Sequence, residues 1–462
     1  MQMVPLPNGN PGIWILTRAF SVPIYSDYFI KIIKKIIMLA NQLNNKLKGF
    51  GIHYGWFLAI MAFLTTISSS AAVSTPQVLI IPMTEAFGWN ISDITSASSL
   101  MFIVLASLAP FGGALMLRIG LPNVIILSGI LIISGLVICI MVSEKWHLLL
   151  GIGVCLGASS GIIGLSLAAT VATRWFNQKQ GLVVGIITSG FAAGQLTFIP
   201  FMAWITTQYD WRYCVLPPLI GSTICMIMFL LFGKNWPSEL DLPPVGDSNI
   251  QKPPPLPKDN PIKLSFQNLF IGLKHPVFWI LALTFFICGL TSNGLILQHF
   301  IPFCGDNNIG IVMASSYLAI MGVFNFLGTM GSGWLSDRYD NYVLLGFYYM
   351  FRGLSLIYLP YSNLDFYSLT IWAVFFGLDF IATVPPTVKL ASKYFGTIQG
   401  PVIFGWIFSA HQFGAAFAAY GAGLARDSLL TYLPVFIWAG IACFVATVLI
   451  FIFKKINISI AA

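Results

Sequence analysis

Twelve separate apolar stretches run through this chain, each about long enough to cross a bilayer, and they fall into two groups of six. A hydrocarbon core roughly 30 Å thick needs about 20 apolar residues of helix. Lipid offers no partner for backbone N–H and C=O groups, so these stretches must close their own hydrogen bonds as helices. The pattern predicts spans at 55–82, 93–117, 121–142, 147–172, 181–207, 212–233, 276–301, 309–334, 341–360, 366–388, 398–424 and 430–453. The fold class that follows is an all-α membrane protein of twelve transmembrane helices in two six-helix halves. Composition agrees: 57% hydrophobic, 8% charged and a mean hydropathy of +0.85 lie outside the range of soluble domains.

Charge sets the orientation. With both termini placed in the cytoplasm, nineteen of the 23 Lys and Arg residues fall on inner segments. Only Lys145, Arg212 and Arg426 fall on outer loops, and Arg352 lies within a span. Such a bias predicts cytoplasmic termini and a plasma-membrane location. The net charge of +8 is then a topology signal rather than a nucleic-acid footprint. The expected partners are the lipid bilayer and a small-molecule substrate, with no nucleic acid and a monomeric functional unit.

The seven cysteines are widely spaced, lack any C-x-x-C and read as packing residues rather than metal ligands or disulfides. The five histidines are dispersed, with no H-E-x-x-H or paired carboxylates, which argues against a polytopic membrane enzyme. No G-x-x-x-x-G-K-[ST] loop is present to bind nucleotide phosphates, so an ion gradient rather than ATP is the expected drive. No cofactor is expected.

Five segments follow from these patterns. Residues 1–50 form an N-terminal segment, and Ile and Lys at helical spacing over 28–48 suit a helix on the anionic inner leaflet. The alternative is a basic lead-in before a start at Met38. Residues 51–233 make the first bundle, 234–275 a Pro-rich cytoplasmic linker, 276–455 the second bundle, and 456–462 a short tail. PPPLP at 253–257 is a candidate Pro-rich ligand, though a plain linker is the simpler reading.

The two bundles overlay with one offset. Adding 220 carries Gly113 onto Gly333, Arg118 onto Arg338, Gly185 onto Gly405, Ser189 onto Ser409 and Gly194 onto Gly414. A single shift satisfying five positions argues for duplication, and duplicated halves with a site between them form a transporter architecture. After span eight the chain reads Gly333-Trp-Leu-Ser-Asp337-Arg338, which resembles the G-x-x-x-D-R loop of the major facilitator superfamily. The matching loop keeps Gly113, Arg118 and Gly120 but has Leu117 where the acid belongs. In the family these loops latch helix ends together, so Gly113, Arg118, Gly333, Asp337 and Arg338 are implied as a gating loop, with the first copy weakened at Leu117.

Two stretches are similar to the monocarboxylate-porter and oxalate/formate-antiporter branch. They are His53-Tyr54-Gly55-Trp56, with Phe87-Gly88-Trp89 beyond, and Trp175-Phe176 leading through Lys179 and Gly181 to Gly185. The resemblance implies a secondary active transporter working by alternating access, with an organic carboxylate as substrate and proton coupling as a candidate drive. Symport and antiport both remain open. One departure stands out. Monocarboxylate porters resemble one another in an Asp and an Arg four residues apart on span eight, where this chain has Asn325 and Thr329. An exporter of drug-like, neutral or zwitterionic solutes is therefore the alternative.

Ionisable groups deep in a membrane helix cost roughly 2.5–3.5 kcal/mol each by insertion scales, so each asks for a reason. Arg352 lies about 16 Å into span nine and Asp379 about 15 Å from the inner end of span ten, at nearly equal depth. They read as a structural ion pair, or with Asp379 as a proton-coupling acid. The family resemblance makes span nine peripheral and span ten cavity-lining, which favours a structural role for Arg352. His411 and Gln412 lie about 18 Å into span eleven. There the oxalate/formate branch is similar in placing a cation for an organic anion, so His411 is a candidate for anion binding or proton linkage. Gln77, Gln195, Gln298, His299 and Asn325 complete the substrate-binding candidates, each with interhelical bridging as its alternative. Pro385-Pro386 should bend span ten beside Asp379.

Overall fold

A computed structural model describes residues 38–250 and 260–461. Its twelve membrane-length helices are α1 (Tyr54–Phe87), α2 (Ile91–Ile119), α3 (Leu121–Ile140), α4 (Lys145–Trp175), α5 (Leu182–Gln208), α6 (Trp211–Phe232), α7 (Pro276–Asp306), α8 (Ile311–Ser336), α9 (Asn341–Tyr361), α10 (Phe366–Gly396), α11 (Val402–Leu429) and α12 (Leu433–Lys455). All twelve expected spans are there, several of them longer than hydropathy alone indicated. Among the described residues no strand forms, and Phe176 and Val245 make an isolated bridge. Helix ends follow local chemistry. Gly88, Gly120 and Gly396 adopt positive φ where α1, α2 and α10 stop. Asp340 and Asp365 cap α9 and α10 by accepting from backbone N–H groups of the first turn.

The duplication is visible in three dimensions. Ile91 and Ile311 open α2 and α8, and Leu121 and Asn341 open α3 and α9, each pair 220 positions apart. Within each half the same crossing recurs. α1 packs along α5 and α7 along α11. Gly194 lets α5 approach α1 so closely that a Cβ would stand 2.6 Å from the carbonyl oxygen of Ile67. At the matching place Gly414 lies against the carbonyl oxygen of Phe286, where a Cβ would overlap it. Small residues at such crossings replace the hydrophobic drive that lipid does not supply.

The halves meet along α2–α11, α5–α8 and the ends of α1 and α7. With the face where α1 begins and α12 ends called the terminal face, the opposite, far face is shut. Ser92 N donates to Asp427 Oδ2 at 2.8 Å, and a Cβ on Gly423 would sit 2.5 Å from Thr95 Oγ1. Toward the terminal face the same seam loosens: the nearest atom to a Cβ on Gly405 is Pro110 Cα at 3.9 Å. On the other seam, a Cβ on Gly322 would meet Ala192 and Leu196 at 3.7 Å, while Gly185 and Gly333 have nothing within 4 Å. The halves are packed tightly at the far face and more loosely toward the terminal face.

The stretch after α6 is not a loose tether at its start. His53 Nε2 bonds the Pro243 carbonyl at 2.9 Å, Tyr54 Oη donates to Phe232 O at 2.6 Å, and Val245 N donates to Trp175 O at 2.8 Å. Asn235 Oδ1 accepts from Leu121 N at 3.0 Å and from Arg174, whose other nitrogen reaches Met116 O at 3.2 Å. Trp56 packs edge-on against Phe176, and Tyr54 lies on Trp175. The two sequence motifs thus converge on one strap across the terminal face of the first half. Further on, a helix over Pro261–Leu273 sits on the α2–α11 seam, where Trp406 Nε1 donates to Ser265 O at 3.1 Å and Phe266 contacts Phe111 and Trp406. Residues 38–49 are helical and bury Ala40 and Asn44 against the first half. The rest of the 28–48 stretch and PPPLP at 253–257 lie outside the described residues. The final helix continues to Ala461, so 456–461 extends α12 rather than forming a separate tail.

Candidate functional site

α10 breaks over residues 380–383. Pro385 and Pro386 lack the N–H groups that would reach back to the carbonyls of Ile381 and Ala382. At membrane depth those carbonyls need other partners, and each finds one. Ile381 O accepts from Val384 N at 2.9 Å, and Ala382 O accepts from Ser332 Oγ of α8 at 2.5 Å. Arg352 Nη2 donates to Asp379 O at 2.7 Å and to Phe380 O at 3.0 Å.

Arg352 is wholly buried on α9 and also pairs with the Asp379 side chain, Nε to Oδ2 at 2.6 Å. The two ionisable groups at matching depth therefore do meet. The guanidinium is both counter-charge and cap for an interrupted helix. Its remaining contact is Nη1 to Cys288 Sγ of α7 at 2.8 Å. Cys288 also lies 3.2 Å from Thr383 Oγ1, and the His411 side chain reaches the same sulfur. His411 is held between the rings of Phe285 and Phe408, with centroids 4.8 and 5.7 Å away. The backbone there is tight: a Cβ on Gly289 would overlap the His411 carbonyl oxygen. A π-helical turn at Leu290–Ile296 follows directly in α7.

Asp379, Arg352 and His411 thus gather around Cys288. Two polar atoms in this cluster, Asp379 Oδ1 and His411 Nδ1, are buried without a hydrogen-bond partner; on the same helix as His411, Gln412 Oε1 is likewise buried and unpaired. Cys288, Thr383 and Ser332 were not singled out from the sequence. Cys288 carried one usable signal: it lies about 18 Å into α7, the depth of the other three.

The other candidates separate from this cluster. His299 Nε2 donates to Ala419 O at 2.8 Å and its Nδ1 accepts from Tyr432 Oη at 3.1 Å, so it bridges α7 to α11 and to Tyr432 at the start of α12. Gln298 beside it is fully buried with neither amide atom paired, and Gln77 is buried with Oε1 unpaired. Both amides sit in the far-face parts of α7 and α1. Gln195 is half-buried on α5. Asn325 Oδ1 accepts from Thr329 Oγ1 at 3.2 Å, so the α8 positions where the porter branch resembles itself in an ion pair hold a neutral bond within one helix.

The gating-loop residues lie at the terminal ends of α2 and α8. Asp337 is paired with Lys389 of α10, and Arg338 stands over the Trp334 ring at 4.0 Å. The hydrogen bond and charge of Lys389 hold the Asp337 carboxyl below the usual range. In the first copy Leu117 and Arg118 are exposed beyond Gly113. The cation that ties the helix end there is Arg174, and it binds Met116 O and Asn235 rather than an acid. Among the described residues no group of three or more His, Cys, Asp or Glu could hold a metal ion.

Comparison with known proteins agrees with this architecture. The family model described as Major Facilitator Superfamily matches residues 58–419. The uncharacterized MFS-type transporter YcxA of Bacillus subtilis (strain 168) is 26% identical, over 82% of this chain and 90% of that protein. Monocarboxylate transporter 13 of Rattus norvegicus is 23% identical, over 84% of this chain and 86% of that one. The partially occluded inward open conformation of the xylose transporter XylE from E. coli superposes with a TM-score of 0.66 at 12% identity, covering 87% of this chain and 98% of that one. With twelve spans in two halves and a family match across most of its length, the chain belongs to the major facilitator superfamily, a family of membrane transporters rather than enzymes.

Proposed function

We propose that this transporter moves a small organic carboxylate across the plasma membrane by alternating access, coupled to protons, as a monomer with both termini in the cytoplasm. The observation that carries the reading is the α7–α9–α10–α11 cluster, where Asp379 Oδ1 and His411 Nδ1 are buried and unpaired within one group. A buried imidazole with an open nitrogen can take a proton and then hold an anion. Arg352 is committed to Asp379 and to the broken helix, so the cation left to meet a carboxylate is protonated His411. The named monocarboxylate transporters among its relatives support the substrate class. The bias of basic residues toward the terminal face supports the orientation.

A second reading has its own observation. The neutral Asn325–Thr329 bond replaces the ion pair of the porter branch, which favours a neutral or zwitterionic solute. Uptake into proteoliposomes under an imposed proton gradient separates the two, with lactate, pyruvate, oxalate and amino acids as candidate substrates. The carboxylate reading expects gradient-driven uptake of an anion that His411→Gln abolishes and Asp379→Asn uncouples from pH. Uptake of amino acids alone, indifferent to His411→Gln, overturns it.

A further inference from the structure

Asp427, near the far end of α11, makes a contact that the sequence pattern does not announce. Its Oδ2 accepts from Ser92 N at 2.8 Å, joining the last turn of α11 in the second half to the first turn of α2 in the first. The first N–H groups of a helix have no intrahelical partner, and α2 fills only part of that need itself. Asp93 folds back onto Asn90 N at 3.1 Å and pairs with Lys145 at 2.7 Å, leaving Ser92 N–H to the other half. One turn deeper, Gly423 brings α11 onto α2, where a Cβ would lie 2.5 Å from Thr95 Oγ1 and 3.1 Å from Ser92 Cα. The neighbouring Arg426 does not compete, because it is bound twice to Asp306 of α7, at 2.6 and 2.8 Å, inside its own half.

The duplication supplies an internal comparison. With the offset of 220 positions, Asp427 corresponds to Thr207 on α5 and Ser92 to Val312 on α8. Thr207 bonds locally to Trp204 O, and α8 starts from Gly310 with no side-chain cap. Of two seams related by the repeat, one carries a charged cross-half contact and the other does not. A cap needed for helix stability alone would come from within the same half, as it does at Asp340 and Asp365.

We propose that Asp427 is the latch of the outer gate. Its bond to the α2 backbone holds the far face shut in the conformation seen here and must be released for the outward-open state. The assignment concerns the balance between the two states and needs no knowledge of the substrate. A hydrogen bond to a charged group contributes enough that its loss shifts such a balance by about tenfold or more.

The test places spin labels at two exposed far-face positions, one in each half, by Met141→Cys and Leu430→Cys. The distance distribution is then read in purified full-length protein. Asp427→Ala should move the population toward a wider far face by about tenfold. Gly423→Ala, which opposes closure from the adjacent turn without touching the carboxylate, should move it in the same direction. Arg426→Gln breaks a contact within one half and should leave the distribution in place. Wild-type distances in both Asp427→Ala and Gly423→Ala would overturn the proposal, as would an equal shift in Arg426→Gln. Should Asp427→Ala not fold, the isosteric Asp427→Asn must show a smaller shift in the same sense, and an unchanged distribution there is equally fatal.

Discussion

Arg352 and Asp379 form a buried pair whose energetics can be worked from its contacts. Arg352→Met would leave the Asp379 carboxylate without its counter-charge and Phe380 O without its donor. Breaking a buried pair by removing one partner typically costs about 3–5 kcal/mol, and an orphaned carbonyl about 1–3 kcal/mol more. Asp379→Leu leaves a buried guanidinium that keeps its backbone carbonyls, so its cost stays near the pair term alone. The double variant retains only the carbonyl penalty. The double variant should therefore lose less than the two single variants together by twice the pair term, about 6–10 kcal/mol, and should be more stable than Arg352→Met. All seven cysteines are free and buried, so a thiol-reactive fluorophore reports thermal unfolding directly. Additive losses in the double variant would refute the pairing argument. The same proteins divide structure from mechanism: a stable double variant that still transports with wild-type pH dependence would make the pair purely architectural.

Three further outcomes follow from the terminal-face strap and from the packing. Burial, followed by the charge of Lys48, holds the His53 imidazole below its ordinary 6.5 against the opposing pull of the Pro243 carbonyl. The unfolded chain then binds this proton first, so stability should fall as pH drops below about 6.5 and level off below the folded value. His53→Asn should flatten that part of a melting-temperature profile between pH 5 and 8. Gly289→Ala should cost about 1–3 kcal/mol by overpacking against the His411 carbonyl and reduce uptake. Gly421→Ala, with nothing within 4 Å of the added carbon, should leave both melting temperature and uptake intact.

The span pattern made the twelve helices, their pairing by duplication and the depth match of Arg352 with Asp379 legible, because lipid permits few ways to satisfy a backbone. It also located Pro385-Pro386 as a disturbance in α10. It did not show what repairs the break, since Ser332 and Arg352 reach the freed carbonyls from other helices and neither distance is written in one segment. Cys288 looked like any other apolar cysteine for the same reason. His299 shows the converse limit: a polar side chain in a span is equally visible whether it faces a cavity or, as here, closes a bridge with Tyr432 and Ala419. The strap at Pro243–Val245 was hidden because its partners, His53 and Trp175, sit in motifs far away in the chain.

The duplication also shows where the chemistry is concentrated. Shifted back by 220, Arg352, Asp379, His411 and Cys288 correspond to Ile132, Ser159, Phe191 and Ser68. The first half fills two of those places with hydroxyl pairs, Ser159 with Ser128 at 2.6 Å and Ser68 with Ser222 at 2.8 Å. Such pairs hold helices together without a charge to bury. One copy of the repeat therefore carries neutral interhelical bonds at the positions where the other gathers an acid, a base and an imidazole around a broken helix. A proton-linked step of the kind proposed here has no matching titratable set in the first half, so it must act by changing α7, α10 and α11 of the second. On that proposal the first half serves as the body against which those helices move.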